Sequence, residues 1–309
     1  MKKLRLALLS GGKSSEREVS LKSGGQVFAA LDKAKYDIKR YDPQTDLNQL
    51  IADAPNLDIA LIIMHGRWGE DGTIQGLLDL LELPYQGSGV MASAVAMNKE
   101  VSKMLYQQAG LQVPREIFYS RHDAIDPAIV EAAIGLPAII KPVNEGSSIG
   151  ITVAHSREQI MDGIHHALVY DHRVLVEEFI TGLEVTAAIL GNDDLQALPL
   201  VEIIPGENYH FFDHEAKYKA GATKEIVPAR LSPEMTDRVQ EYGLKAHRAL
   251  GCRGYSRTDT IIRDNDIYVL ETNTIPGMTA TSLFPQAAAA ASLEFPALLD
   301  RLVELALEK

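Results

Sequence analysis

Hydrophobic residues follow two rhythms along this chain. Residues 4–9 and 57–64 are short, nearly unbroken apolar runs, which read as strands buried on both faces. Residues 37–41 read as a further strand between them. Stretches with helical spacing separate these runs: one leaves the glycine-rich turn at 10–20 and continues to about Leu31, and others cover 47–52 and 72–81. Strands alternating with helices predict a parallel sheet covered on both faces, whose ligands bind beyond the carboxyl ends of the strands. Two polar loops stand at those ends, 11–18 and 65–72. His65 opens the second, among three glycines, a placement that favours a functional role.

The pattern changes near Met97. Helical spacing at 90–97 and 99–108 is followed by a strand at 137–142 that carries Lys141, a loop holding Gly146, Ser147, Ser148 and Gly150, and a strand at 151–154. A glycine- and serine-rich loop between two strands can cover phosphates with its backbone N–H groups and hydroxyls. A helix at 158–168 and strands at 173–180 and 182–190 come next, and a second boundary falls near Leu183. The first of these strands runs from apolar residues into Glu177 and Glu178, as an edge to an adenine pocket would; a solvated strand end reads equally well from the residues alone. Beyond a strand at 198–205, residues 206–225 form a long polar loop, a length typical of lids and binding loops. Ser232-Pro233 caps and starts a helix that ends at Gly251. Two amphipathic helices, 283–291 and 295–308, close the chain.

Between them lies a stretch rich in chemistry, Arg257 to Ser282. It reads as a hairpin turning at Asp264-Asn265-Asp266 and running into a Pro-Gly loop. Residues two apart on a strand share a face. A loop of about three residues sets Asp259 opposite Glu271 and Arg257 opposite Asn273. One face then gathers two carboxylates, an amide oxygen and a guanidinium, a set of hard oxygen ligands suited to Mg²⁺ and the phosphates of its nucleotide. The other face carries Thr258, Thr260, Ile262, Leu270 and Thr272. The plainer alternative is a half-solvated hairpin with surface acids.

Composition narrows the choice. The 309 residues are 46% hydrophobic, ordinary for a globular chain of two or three domains. A net charge of −12 disfavours nucleic acid and acidic membranes as partners. The single cysteine, Cys252, rules out an internal disulfide framework and fits a reducing cytoplasm. No apolar run approaches a membrane span, and the one near the N-terminus is too short for a signal-peptide core. Two tempting motifs fail on context. Gly12-Lys13-Ser14 satisfies a relaxed phosphate-loop pattern, but its first small residue, Ala7, lies inside the strand and leaves too little loop. His210 and His214 are spaced for zinc, yet no convincing helix or cysteine partner accompanies them.

Taken in order, the segments 16–20, 65–73, 86–93, 141–148, 215–218, 257–259 and 271–278 resemble those of the ATP-grasp enzymes and, among them, the D-alanine–D-alanine ligase family. The resemblance runs over almost the whole chain. It implies an α/β, three-domain ATP-grasp architecture: an N-terminal parallel-sheet, Rossmann-like domain (1–97) and two α+β domains (98–183 and 184–309) that clasp ATP. It implies ligation of two D-alanines at the expense of ATP through an acyl phosphate, for peptidoglycan precursor synthesis. Asp259, Glu271 and Asn273 would hold two Mg²⁺ ions, with Mn²⁺ as a substitute. Lys99, Lys141 and Lys217 would contact phosphates, with Ser148 in the flap. Glu177, Ile180 and Glu184 would meet adenine and ribose, with Glu178 and Phe179 on the same edge. Glu16 and His65 would hold the first D-alanine, Ser282 and Leu283 the carboxylate of the second. Glu16, Ser147 and Tyr218 would form a hydrogen-bonded set across three loops. Arg257 and the backbone N–H of Gly277 would stabilise the oxyanion. A cytoplasmic homodimer is the family expectation. Trp68 and Thr281 depart from the family pattern, while Tyr218 favours a dipeptide over a D-lactate product.

Overall fold

The computed structural model describes residues 2–146, 149–206 and 223–308. Three sheets organise them. The first is parallel and three-stranded, in the order β2 (Tyr36–Tyr41), β1 (Leu4–Leu9), β3 (Ile59–Ile62). Helices α1 (Arg17–Ala30), α2 (Leu47–Asp53) and α3 (Thr73–Leu80) connect and follow these strands. Alternation within β1 decides its burial: Leu6 and Leu8 enter one core, Ala7 and Leu9 another on the opposite face. Full burial of each leucine is worth about 1.5–3 kcal/mol.

Helices α4 (Val90–Met97) and α5 (Lys99–Gln108) lead to the second sheet, antiparallel, in the order β4 (Glu116–Ser120), β7 (Arg173–Glu178), β5 (Ala138–Pro142), β6 (Thr152–Ala154). Its helices are α6 (Pro127–Ile134) and α7 (Arg157–Tyr170). The sequence reading passed over β4 and α6. Yet α6 carries its own signal, since the Asp126 side chain accepts from the Ala128 N–H, Pro127 opens the helix and Gly135 follows it.

The third sheet runs β11 (Thr223–Ile226), β10 (Val201–Pro205), β8 (Leu183–Gly191), β12 (Gly254–Arg263), β13 (Asp266–Asn273), with β9 (Gln196–Ala197) beside β8. Helix α8 (Pro233–Ala249) packs on it, its N-terminus capped by Ser232. Helices α9 (Leu283–Ala290) and α10 (Phe295–Leu307) join the first and third sheets. Leu298, Leu299, Leu302 and Val303 of α10 share one core with Leu6, Ile59, Leu190 and Ile203. The end of the chain therefore fixes the first sheet against the third.

The hairpin expected around Asp264 forms, by a different route. Its turn has two residues, because Arg263 pairs with Asp266, and Asp264 takes a φ of 57°. A two-residue turn alone would set Asp259 opposite Leu270. A bulge beyond Asp259 absorbs one residue and restores the pairs Asp259–Glu271 and Arg257–Asn273. The extra residue is Leu270, which lines a cavity with Ile261 instead of lying with Thr272. Both faces of the hairpin are covered, so the half-solvated alternative does not hold. Thr258 and Thr272 are buried and hydrogen-bonded to one another at 2.9 Å, and the Tyr106 hydroxyl donates to Thr272 at 2.8 Å.

Candidate functional site

Two cavities meet where the three sheets converge. The first, about 400 Å³, lies over the carboxyl ends of β1 and β3 and is closed by the loop leading into α9. The second, about 310 Å³, lies between the second and third sheets. Lys99, Glu145, Gly146 and Glu271 line both.

The first cavity begins at the two glycine-rich loops. Gly66 has a φ of +68°, and a Cβ there would fall 2.7 Å from Glu16 Oε2. The left-handed backbone favours glycine here, and a side chain would displace the Glu16 carboxylate. Ser14 ties them together by donating to the His65 carbonyl at 2.7 Å. His65 is buried with Nδ1 3.5 Å from Glu70 Oε1, and its Nε2 has no hydrogen-bond partner among the described residues. Burial works against a charged imidazole, but the Glu70 and Glu16 carboxylates outweigh it and raise the pKa of His65. Burial, reinforced by Glu16, pushes Glu70 up as well. Such a histidine suits a small carboxylate.

At the opposite end, Ser282 precedes α9 and its hydroxyl lies 2.8 Å from that of Thr279. A Cβ on Gly277 would stand 3.1 Å from Ser282 Oγ, a tight approach that the Pro-Gly turn avoids. Leu283 also lines this end. Arg257 stands in the same cavity and makes a bidentate pair with Asp259, at 2.8 and 2.7 Å. Asn273 Nδ2 donates to Asp259 at 3.2 Å. Asp259, Glu271 and Asn273 therefore cluster as the pairing predicts, but Arg257 holds Asp259 directly. Their oxygens are the donor types that Mg²⁺ takes alongside phosphates. Among the described residues, no group of three or more His, Cys, Asp or Glu is placed to hold a metal ion; the third oxygen here belongs to an amide.

The second cavity is mainly apolar. Phe179, Ile180, Leu183, Ile203, Ile261 and Leu270 supply its walls. Lys99, Lys141, Glu177, Glu178 and Glu184 are at its edges. Lys99 opens α5 and its ammonium donates to the Glu145 carbonyl at 2.5 Å, with Glu271 Oε2 at 3.9 Å. Lys141 Nζ lies 2.5 Å from Glu177 Oε1. The other Glu177 oxygen is 2.8 Å from Lys103, which is fully buried and also 3.1 Å from Glu116. These last two contacts are close enough for ion pairs, although their angles fall outside hydrogen-bond geometry. Burial opposes the Glu177 charge, but Lys103 and Lys141 overcome it and bring its pKa to about 2. Glu178 turns the other way and is paired with Arg115 and Arg263, each at 2.8 Å.

Ser147, Ser148, Lys217 and Tyr218, like His210 and His214, lie outside the described residues. The remaining residues singled out from the sequence line one cavity or the other. Lys13 does not: it is exposed, and the loop around it spends its amides internally, Gly11 on Ser20 and Gly12 on Asp42. Trp68 is 46% exposed with the Arg67 guanidinium over its ring, and lines neither cavity. Thr281 lines the first cavity, 3.3 Å from Thr279. Sequence reasoning missed Glu70, Lys103, Glu116, Glu145 and Glu225. Lys103 had a legible signal, since Lys99, Lys103 and Tyr106 fall on the buried face of one amphipathic helix.

The family model described as D-ala D-ala ligase C-terminus matches residues 105–304, and the N-terminus model matches 39–88. The chain is 61% identical to a D-alanine–D-alanine ligase of Syntrophobacter fumaroxidans, covering 99% of this chain and 98% of that one. It is 52% identical to one of Desulfotalea psychrophila, over 99% and 96%. A solved D-alanine–D-alanine ligase from Bacillus anthracis, complexed with ATP, superposes with a TM-score of 0.87 at 32% identity, covering 98% and 97%. The VanG D-Ala:D-Ser ligase from Enterococcus faecalis gives 0.84 at 32%, over 99% and 100%.

Proposed function

This chain belongs to the D-alanine–D-alanine ligase family, and we propose how its two joined cavities carry out the ATP-dependent ligation of two D-alanines. The observation that carries the reading is the shared wall. Lys99 and Glu271 line both cavities, so a phosphoryl donor in one reaches a carboxylate in the other. ATP occupies the second cavity, its adenine and ribose against Glu177, Glu178, Phe179, Ile180 and Glu184. Its phosphates run toward Lys99 and Lys141, with Ser148 and Lys217 from the flap and the long loop. Asp259, Glu271 and Asn273 would hold the two Mg²⁺ ions, with Mn²⁺ as substitute; when bound, these neutralise phosphate charge.

The first D-alanine lies between Glu16 and His65, whose raised pKa favours the cation that a carboxylate needs. Its carboxylate attacks the γ-phosphate and forms an acyl phosphate as the bond from the γ-phosphorus to the bridging oxygen breaks and ADP leaves. Transfer of this kind is chiefly positioning and charge neutralisation. The second D-alanine places its carboxylate at Ser282 and Leu283, and its amine attacks the acyl carbon. Arg257 and the Gly277 N–H take the oxyanion. Glu16, Ser147 and Tyr218 link the N-terminal loop to the flap and the long loop, which exclude water from the acyl phosphate. Three units, 1–97, 98–183 and 184–309, would move to do so, in a cytoplasmic homodimer. No helix among the described residues is long and apolar enough to cross a membrane.

An amino-acid screen with phosphate release as readout tests the reading. With ATP and Mg²⁺, D-alanine is expected to give steady release and D-alanyl-D-alanine, while L-alanine gives little. D-serine and D-lactate, offered with D-alanine, report on the second position, where Thr281 lies. Absence of D-alanyl-D-alanine overturns the reading.

A further inference from the structure

Glu225 is among the carboxylates of the first cavity that have no part in the scheme above. Glu225 sits on β11, opposite Ile203 of β10, and lines the cavity with Arg257, Gly277, Thr281 and Ser282. Its Oε2 accepts a hydrogen bond from Gln286 Nε2. Gln286 belongs to α9, one turn beyond Ser282, and also donates to the Thr281 carbonyl at 2.7 Å. Glu225 is thus tied to the same helix that begins at Ser282. The other carboxylates of this cavity are committed elsewhere. Glu16 and Glu70 stand with His65, Glu145 and Glu271 at the junction with the second cavity, and Glu18 points to solvent beside Arg17.

The reaction has an unmet need at this end. An amino acid arrives as an ammonium, which has no lone pair to attack with. A base must take a proton before the C–N bond forms. We propose that Glu225 is that base: it receives the ammonium of the second substrate and accepts its first proton. The proposal rests on the ligase reading and adds a residue to it. The protons balance. The –NH₃⁺ group gives one proton to the Glu225 carboxylate, and the freed lone pair attacks the acyl carbon. The bond from that carbon to the phosphate oxygen then breaks, with its electron pair leaving on phosphate. The second proton goes to the departing phosphate, and the amide keeps the third. Partial burial raises the pKa of Glu225, against the opposing pull of Gln286 and Arg257, and so strengthens it as an acceptor.

Glu225→Gln keeps the side chain's shape and its acceptor oxygen for Gln286. Hydroxylamine separates the proposed role from a structural one, because it is uncharged at neutral pH and attacks an acyl phosphate without prior loss of a proton. With ATP, Mg²⁺ and D-alanine, the variant is expected to make dipeptide ~10²-fold more slowly, the usual scale for losing a general base. With hydroxylamine added, it should form D-alanine hydroxamate at the wild-type rate. Equal loss of both products would assign Glu225 a structural role, and unchanged dipeptide synthesis would remove it from the reaction; either overturns the proposal. Failure of the wild-type protein to form either product would instead overturn the ligase reading.

Discussion

Arg257→Ala is expected to lower turnover by about 10²–10³-fold, the usual loss for one oxyanion donor, while ATP binding changes little. The geometry explains the split. Arg257 lines the first cavity, where the proposal puts the reacting carbonyl, but braces Asp259, which lines the second, where it puts the nucleotide. Removing the guanidinium takes a donor from the oxyanion. It also takes a competing cation from Asp259, leaving that carboxylate more available to a metal. Arg257→Lys should not rescue turnover, because an ammonium cannot reproduce the bidentate fork. Steady-state kinetics with ATP and D-alanine varied separately, plus direct nucleotide binding, would check this. Equal losses of turnover and ATP affinity would count against the oxyanion role.

Lys103→Ala should be the most destabilising of the changes considered. Lys103 is fully buried between Glu116 and Glu177. Burial alone would lower its pKa, but the two carboxylates raise it and keep it charged. Truncation leaves buried carboxylate charge with Lys141 as its remaining near cation, and breaking a buried pair in this way costs about 3–5 kcal/mol. Urea unfolding would measure that loss. A Lys103→Met, Glu116→Gln double variant should recover part of it, since it removes one of the stranded charges. The same cluster gives an acid limb to stability. The Glu177 pKa falls from 4.5 to about 2 on folding. Its contribution is therefore present above pH 4.5 and is lost as pH falls toward 2. In Lys103→Ala this limb should flatten, because the depressed pKa depends first on Lys103.

How far the sequence could be read depends on whether a pattern is local. Strands β1 and β5, helices α4 and α5 and the closing helices follow from periodicity and caps. The face shared by Arg257, Asp259, Glu271 and Asn273 also followed, although the turn length assumed for it was one residue too long. The bulge that corrected the register left no local signature, and it redirected Leu270 from the threonine face into the second cavity. Residues joined only through tertiary packing were the ones missed. Glu116 stands on a strand that hydrophobic periodicity does not mark, and its meaning depends on a lysine from α5. Glu225 gains its place from Gln286, 61 residues further on. The hairpin itself changed in character. It lies at one end of the third sheet, β12 between β8 and the edge strand β13, with its chemistry on one face and buried threonine hydroxyls on the other.

The central claim is that a carboxylate in one cavity takes a phosphoryl group from a nucleotide in the other. D-alanine labelled with ¹⁸O in its carboxylate tests this directly, by mass analysis of the phosphate released during dipeptide synthesis. An acyl phosphate breaks between carbon and the bridging oxygen, so each phosphate should carry one labelled oxygen. Dipeptide formed together with unlabelled phosphate would contradict the account.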